Sequence, residues 1–192
     1  KRIEGVIQML LKRALFLVSA ENEVEPLVEF AKVFKKRYNV KVDAIYVKDI
    51  LKYDVFPITV EGIGINLGTN FAYKEFRNIE NKTFEKIKAP LEKEFSKVYT
   101  KEGESAEVAL EELKKYDLIV TVKNEKISPY MKELLRSIYK PLIVLPNRKD
   151  FKIENLLLLD DGAYNANKTL FTFFYMFDEQ KVDVLRVNVE AD

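Results

Sequence analysis

The sequence contains no cysteine, no histidine and no tryptophan, and only six of its 192 residues are glycine. Without thiols or imidazoles the chain cannot form disulfides, cannot use a Cys or His nucleophile, and lacks the ligands that zinc, copper and haem iron prefer. Any catalysis would depend on carboxylates, lysine, tyrosine, serine or threonine. The carboxylates show no spacing that singles out an acid and base pair. We therefore predict no catalytic residue and no metal site, and expect that the protein is not an enzyme.

The chain also lacks an excess of charge of either sign. It has 32 Lys and Arg against 31 Asp and Glu, so no overall field would draw it to nucleic acid or to anionic lipid. Its apolar runs, such as Ala14 to Val18, are far shorter than the roughly 20 residues that cross a bilayer. The first twelve residues mix charged and apolar side chains, unlike a secretory signal. We expect a cytoplasmic protein, and the 33% charged content with few glutamines favours a thermophile source.

Short apolar runs alternate with segments of helical periodicity through the first 146 residues. The strands are predicted at Ala14 to Val18, Lys41 to Val47, Lys97 to Lys101, Asp117 to Val122 and Pro141 to Pro146. Strands that alternate with helices pair in parallel through right-handed crossovers. The pattern predicts an α/β fold with a doubly wound parallel five-stranded sheet. The first and fourth runs show no alternation, so we expect them to be adjacent central strands with a crevice between Ser19 and Thr121.

Capping signals place the starts of three helices. Asn22 and Glu25 form a plausible capping box, Ser105 can cap a second helix, and Ser128 with Pro129 opens a third. The stretch Leu51 to Glu75 has no sustained period and is predicted to be a large ordered loop. Its Gly62 to Gly68 segment lacks the glycine spacing of a dinucleotide motif and does not join a strand to a helix, which favours a loop without nucleotide.

A repeat follows the first domain. The polar segment Asn147 to Glu154 suits a linker, and the strand-helix-strand pattern then begins again. Lys41 to Val47 resembles Lys181 to Val187 at a separation of about 140 residues, one domain length. We predict a first domain over residues 1–146, a linker over 147–154 and the start of a similar domain over 155–192, which would continue beyond this sequence. The apolar helix around Phe171 to Phe177 is expected to form core or interface rather than a cofactor site.

Three segments carry a resemblance to a known family. They are Glu104 to Val120, Lys132 to Pro146 and Leu157 to Ala163, the last containing Asp160-Asp161-Gly162. With the repeat, the chain resembles a tandem universal stress protein. The resemblance implies an adenine nucleotide α-hydrolase-like fold, pairing along the last strand of the sheet, and a role in stress response.

Two departures from the family pattern concern ATP. Members that bind ATP have a Gly-x-x-Gly loop after the fourth strand, whereas Thr121 to Tyr130 contains no glycine, with side chains at Val122, Asn124 and Ile127. Where members carry Asp after the first strand, this chain has Ser19 or Ala20. We therefore predict that the first domain does not bind ATP. Lys123, Asn124 and Lys126 precede the Ser128 cap and either help it hold an anion or, as we favour, are solvated charge.

Asp161 and Gly162 are the better-preserved cofactor-binding candidates. A carboxylate beyond a central strand can accept hydrogen bonds from a ribose or a base, but the same pair can form only a turn and a helix cap. Our first hypothesis is a stress-response or regulatory module without a cofactor. The alternatives are a protein that binds, and weakly hydrolyses, ATP with magnesium in its second half, and a structural partner or sensor domain. We expect an unknown protein client and a homodimer through Pro141 to Pro146, Leu156 to Val189, or both.

Overall fold

The computed structural model describes residues 11–50, 67–177 and 182–186. The strands are β1 (Arg13–Val18), β2 (Lys41–Asp49), β3 (Lys97–Gly103), β4 (Leu118–Lys123), β5 (Leu142–Pro146), β6 (Leu157–Asp160) and β7 (Asp183–Arg186). The helices are α1 (Val24–Tyr38), α2 (Leu67–Glu92), α3 (Ser105–Glu112), α4 (Pro129–Ser137) and α5 (Tyr164–Met176), with short 3-10 turns at Glu21–Glu23 and Leu113–Lys115.

The first five strands form one parallel sheet in the order β3-β2-β1-β4-β5. Ala14 pairs with Leu118 on one side and with Val42 on the other, so β1 and β4 are the adjacent central strands that the apolar runs predict. The chain leaves β1 toward β2 and β3, and returns to β4 and β5 on the other side. This reversal makes the sheet doubly wound and places a crevice at the carboxyl ends of β1 and β4.

Side chains of alternate sheet residues fill two separate cores. Phe16 in β1 packs with Phe30, Phe34 and Phe95 on the face covered by α1 and α2, at ring separations of 5.0 to 6.4 Å. Leu15 and Leu17 point to the opposite face, which α3 and α4 cover. Both faces of the central strands are therefore buried, which explains why their sequences are continuously apolar.

The predicted helix caps are confirmed at one position and wrong at two. Ser128 caps α4 and accepts a hydrogen bond from the Met131 amide at 3.3 Å. The Asn22 and Glu25 capping box is absent, because Glu23 takes the amides at this turn instead. Ser105 is the first residue of α3 rather than its cap, and its hydroxyl donates to Asp49 at 2.6 Å.

The predicted loop over Leu51 to Glu75 is wrong for residues 67–75, which form the start of α2. At the end of this stretch the apolar period is weak because Tyr73 is half-buried and Lys74 and Glu75 are exposed. Just beyond it, Phe76 and Glu80 are each 2% exposed, and Glu80 accepts a hydrogen bond from Tyr46. The rest of the predicted loop, including Gly62 and Gly64, lies outside the described residues. Pro90 is the third-last residue of α2, and the helix is unbroken before it.

Strands β6 and β7 pair in parallel as a separate two-stranded sheet, joined by α5. The sequence predicts a last strand over Lys181 to Val189, which is confirmed over Asp183–Arg186; Val182 is described and lies before the strand, and Lys181 and residues 187–189 lie outside the described residues. Helix α5 packs on α1 through Phe177, whose ring is 4.9 Å from that of Tyr38. The segment before β6 follows α1, with Phe151 5.5 Å from Phe30. The domain boundaries stay a prediction.

The described residues offer neither a membrane-spanning helix nor a metal-binding cluster. In the part of the chain that the structure describes, no helix is both long and apolar enough to cross a bilayer. The same residues contain no group of three or more acidic side chains placed to hold a metal ion.

Candidate functional site

The crevice at the switch point between β1 and β4 is lined by a cluster of polar side chains. Ser19 directly follows β1 and is 3% exposed, and Thr121 in β4 is fully buried. The Tyr130 hydroxyl reaches both of them from α4, at 3.1 Å from the Ser19 Oγ and 3.5 Å from the Thr121 Oγ1. The two strand ends that the sequence predicts to border a crevice are therefore bridged by one side chain.

The carboxylate of Glu23 occupies the centre of this cluster. Its side chain is fully buried and accepts the backbone amides of Ser19 at 2.7 Å and of Ala20 at 3.2 Å. The Ser19 hydroxyl donates to it at 2.8 Å and the Asn124 side-chain amide at 3.1 Å. The Glu23 carboxylate thus accepts hydrogen bonds from the backbone amides at the end of β1, which are the donors that an incoming anion would need.

Burial raises the pKa of Glu23 above its ordinary value, while the hydrogen bonds from Ser19, Asn124 and Ala20 act in the opposite direction. Burial also raises the pKa of the Tyr130 phenol, and the nearby Glu23 charge adds to this effect. Both groups are therefore biased toward their protonated forms. The crevice concentrates acceptor oxygens and carries no described cation in contact with them.

The three residues predicted as a possible anion-holding group do not come together. The Asn124 side chain donates to Glu23, and its carbonyl oxygen accepts from Asn147 at 2.9 Å and from Asn22 at 3.4 Å. Lys123 and Lys126 are exposed at the surface. The side chain of Asn124 is therefore taken up by three neighbouring side chains, and the two lysines belong to the solvated surface.

Sequence reasoning identified the crevice and Ser19 but missed the roles of Glu23 and Tyr130. Glu23 lies in the acidic stretch Glu21 to Glu25, and the neighbouring sequence does not indicate which of these carboxylates is buried and which are solvated. The available signal was its spacing of four residues from Ser19, which lets its carboxylate fold back onto the end of β1. Of the residues that replace family glycines, Val122 is buried in the sheet and Ile127 is 44% exposed.

Asp161 and Gly162 lie in the exposed turn between β6 and α5. The Asp161 carboxylate accepts the Ala163 amide at 2.9 Å, and the neighbouring Asp160 accepts the Gly162 amide at 2.8 Å. Gly162 has a positive φ of 76°, a backbone conformation that favours glycine. The geometry therefore accounts for both residues as parts of a turn, while α5 itself has no side-chain cap, and their binding of a cofactor stays a prediction.

A second polar cluster lies at the amino-terminal side of the sheet. Asp43 in β2 is 1% exposed and accepts from Arg13 and from the Tyr116 hydroxyl, each at 2.9 Å. The Tyr116 hydroxyl is 3.4 Å from that of Tyr99, which donates to Glu112 at 2.8 Å. Burial raises the pKa of both tyrosines. This chain of hydroxyls and carboxylates ties β1, β2, β3 and α3 together at the end opposite the crevice.

The Glu112 carboxylate completes the cluster with two lysines, Lys101 at 2.7 Å and Lys115 at 3.0 Å. Burial acts to raise the pKa of Glu112, but the hydrogen bonds from Lys101, Lys115 and Tyr99 outweigh it and lower the pKa to about 2. Unlike Glu23, this buried carboxylate is therefore held in its charged form.

Comparisons with known proteins give a structural likeness and no sequence match. No family model and no curated protein matches the chain. Among solved structures, the hypothetical protein MJ0577 aligns with a TM-score of 0.53 and 16% identity, over 74% of this chain and all of the other. A protein of the universal stress protein family from Burkholderia pseudomallei aligns with a TM-score of 0.50 and 14% identity, over 74% of this chain and 98% of the other.

Proposed function

Since the chain has the fold of the universal stress proteins, we propose that it is a stress-response or regulatory module whose switch-point crevice does not bind ATP. The observation that carries the proposal is the buried Glu23 carboxylate. It accepts the Ser19 and Ala20 amides and thereby takes donors that a bound phosphate would use.

The neighbouring Thr121 to Tyr130 segment supports the same proposal. It contains no glycine, so every residue in it carries a Cβ that keeps an anion away from the backbone. Its Asn124 side chain is already engaged by Glu23, Asn22 and Asn147. Signal output would then depend on a protein client rather than on nucleotide turnover, in line with the absence of any recognised acid and base pair in the sequence.

We expect no saturable binding when the protein is dialysed to equilibrium against micromolar ATP with magnesium, because the crevice presents acceptors to a ligand that also presents acceptors. Micromolar binding at one site per chain would contradict the proposal. If ATP does bind, the variant Asp161→Asn shows where. Loss of binding in Asp161→Asn, with binding retained in the exposed control Glu154→Gln, would support the alternative in which the second half binds ATP.

We further propose that the protein forms a homodimer along β5. This strand is an edge of the sheet, and Val144 on it is 38% exposed. Leu157, Leu159 and Leu185 of the two-stranded sheet are also at least half exposed. An uncovered edge strand and an uncovered apolar face both favour association with a second copy.

Sedimentation velocity at micromolar concentration is expected to show a dimer for the native chain and a shift toward monomer for Val144→Lys, because a lysine on the edge strand opposes pairing. Ile79→Lys is the matched control. Ile79 is 42% exposed on α2, which packs against β2 and β3 and not against β5. A native monomer, or equal dimer dissociation by both variants, would show that β5 is not the interface.

A further inference from the structure

A large cavity lies beside the contact between α1 and α5. Its volume is about 670 Å³, and it is bounded by α1, by the start of β5 and by α5. Phe30 and Phe34 of α1 line one wall, and Phe173, Met176 and Phe177 of α5 line another. Four of these five side chains are less than 9% exposed, and Phe173 is half-buried, so the cavity borders the core itself rather than a shallow surface dent.

This space is a partly open cleft, and most of its walls are apolar. Native interiors are close-packed, with few voids larger than a water molecule. An ordered water needs two to four polar partners, and the aromatic and aliphatic side chains that form most of the walls offer none. The volume falls within the roughly 300 to 1,000 Å³ of small-molecule pockets. The walls therefore fit a compact apolar body.

Two lysines mark one end of the cavity. Lys140 and Lys168 line both this cavity and an adjoining one of about 570 Å³, which is bordered by Asp117 and by Asn167. The Lys140 ammonium donates to the backbone carbonyls of Leu113 at 3.0 Å and Tyr116 at 2.6 Å. It is thus already held in place by backbone acceptors.

Lys168 differs from Lys140 because its ammonium has no ion pair or hydrogen bond within the described residues. It lies exposed on α5, four residues before Thr172, which lines both cavities. Asp117, the acidic side chain nearby, already accepts the amides of Lys12 and Arg13, each at 2.8 Å. The junction of the two cavities therefore carries positive charge, and the Lys168 ammonium still has hydrogen-bond donors available for a ligand.

We propose that this cavity binds a small amphiphile, with its apolar body between α1 and α5 and its carboxylate on Lys168. The charge at the junction selects an anionic head over a neutral one, and the aromatic walls select an apolar chain or ring. The site is separate from the switch-point crevice and does not depend on the proposed function, because none of the crevice residues lines it.

The test compares two probes of equal chain length, dodecanoate and dodecanol, by isothermal titration calorimetry below their aggregation limits. We expect both to bind, and dodecanoate about three- to fivefold more tightly, the increment of one exposed ion pair. Lys168→Ala should abolish that difference, while Lys132→Ala, an exposed lysine on α4, should leave it unchanged. Absence of binding by either probe, as expected if a second copy of the chain fills the cavity, would overturn the proposal.

A pair of variants at Thr172 tests the apolar part of the cavity. Thr172→Phe adds a ring into the space and should weaken both probes at least about tenfold, whereas the near-isosteric Thr172→Val should not. If Thr172→Phe does not fold, NMR of the native chain replaces it. We then expect intermolecular nuclear Overhauser effects between dodecanoate and the side chains of Phe30, Phe34 and Met176. Contacts confined to other surfaces, or equal affinities in both Thr172 variants, would contradict the assignment.

Discussion

Glu23→Ala is expected to lower the free energy of unfolding by about 3 kcal/mol, because it leaves several buried donors without an acceptor. The amides of Ser19 and Ala20, the Ser19 hydroxyl and the Asn124 amide all donate to this carboxylate. Urea unfolding at constant slope measures the loss. Glu21→Ala is the matched control: Glu21 is 61% exposed, two residues away in the same turn, and its removal should change stability by less than about 0.5 kcal/mol.

Glu23 also makes the free energy of unfolding depend on pH, and the direction of that dependence follows from its pKa shift. Burial raises the pKa of Glu23 above 4.5, so the folded state binds this proton more tightly than the unfolded state does. Its contribution to stability is present below pH 4.5 and is lost as pH rises through the folded pKa. Glu23→Gln cannot titrate, so it should become more stable relative to the native chain as pH rises through that window.

Glu112 supplies a control of opposite sign. Its pKa of about 2 lies below the ordinary 4.5, so its contribution is present above pH 4.5 and is lost as pH falls through about 2. Glu112→Gln should therefore become more stable relative to the native chain on acidification. If both variants changed relative stability in the same direction with pH, the described environment of Glu23 would be wrong.

Much of the fold could be predicted because its main determinants are local in sequence. The central strands are buried on both faces, so Ala14 to Val18 and Asp117 to Val122 show unbroken apolar runs, and parallel pairing follows from the intervening helices. The first half of α2 could not be predicted in this way. Lys74 and Glu75 are exposed, so the residues before Phe76 give no clear apolar period, and the buried position Glu80 that follows is acidic and adds nothing to one.

The sequence predicts where the candidate site lies but not which side chains form its centre. The switch-point rule put a crevice between Ser19 and Thr121, and the structure brings both residues to Tyr130. The identity of its central group was hidden because the partners of Glu23 include Asn124, about a hundred residues away in sequence. Burial of one acidic residue among several is set by such tertiary contacts, which composition and periodicity do not register.

Asp43→Ala is expected to lower the free energy of unfolding by about 3 kcal/mol, because it removes a buried carboxylate and leaves a buried hydroxyl unpaired. Asp43 accepts from Arg13 and from Tyr116, and it lies in β2 beside the central strand. Arg13 is 43% exposed and can be solvated, so most of the loss should come from Tyr116, which is 3% exposed. Asp150→Ala, at an exposed acidic residue, is the control.

A double-mutant cycle separates the contributions of the two partners. Tyr116→Phe removes the hydroxyl that Asp43→Ala leaves unpaired, so the double variant should be more stable than the sum of the single losses predicts, by about 1 kcal/mol or more. Combining Asp43→Ala with Arg13→Ala should give a smaller coupling, because an arginine that reaches water needs no buried partner. Additive losses for Asp43 and Tyr116 would show that the hydrogen bond between β2 and the residue before β4 contributes nothing to stability.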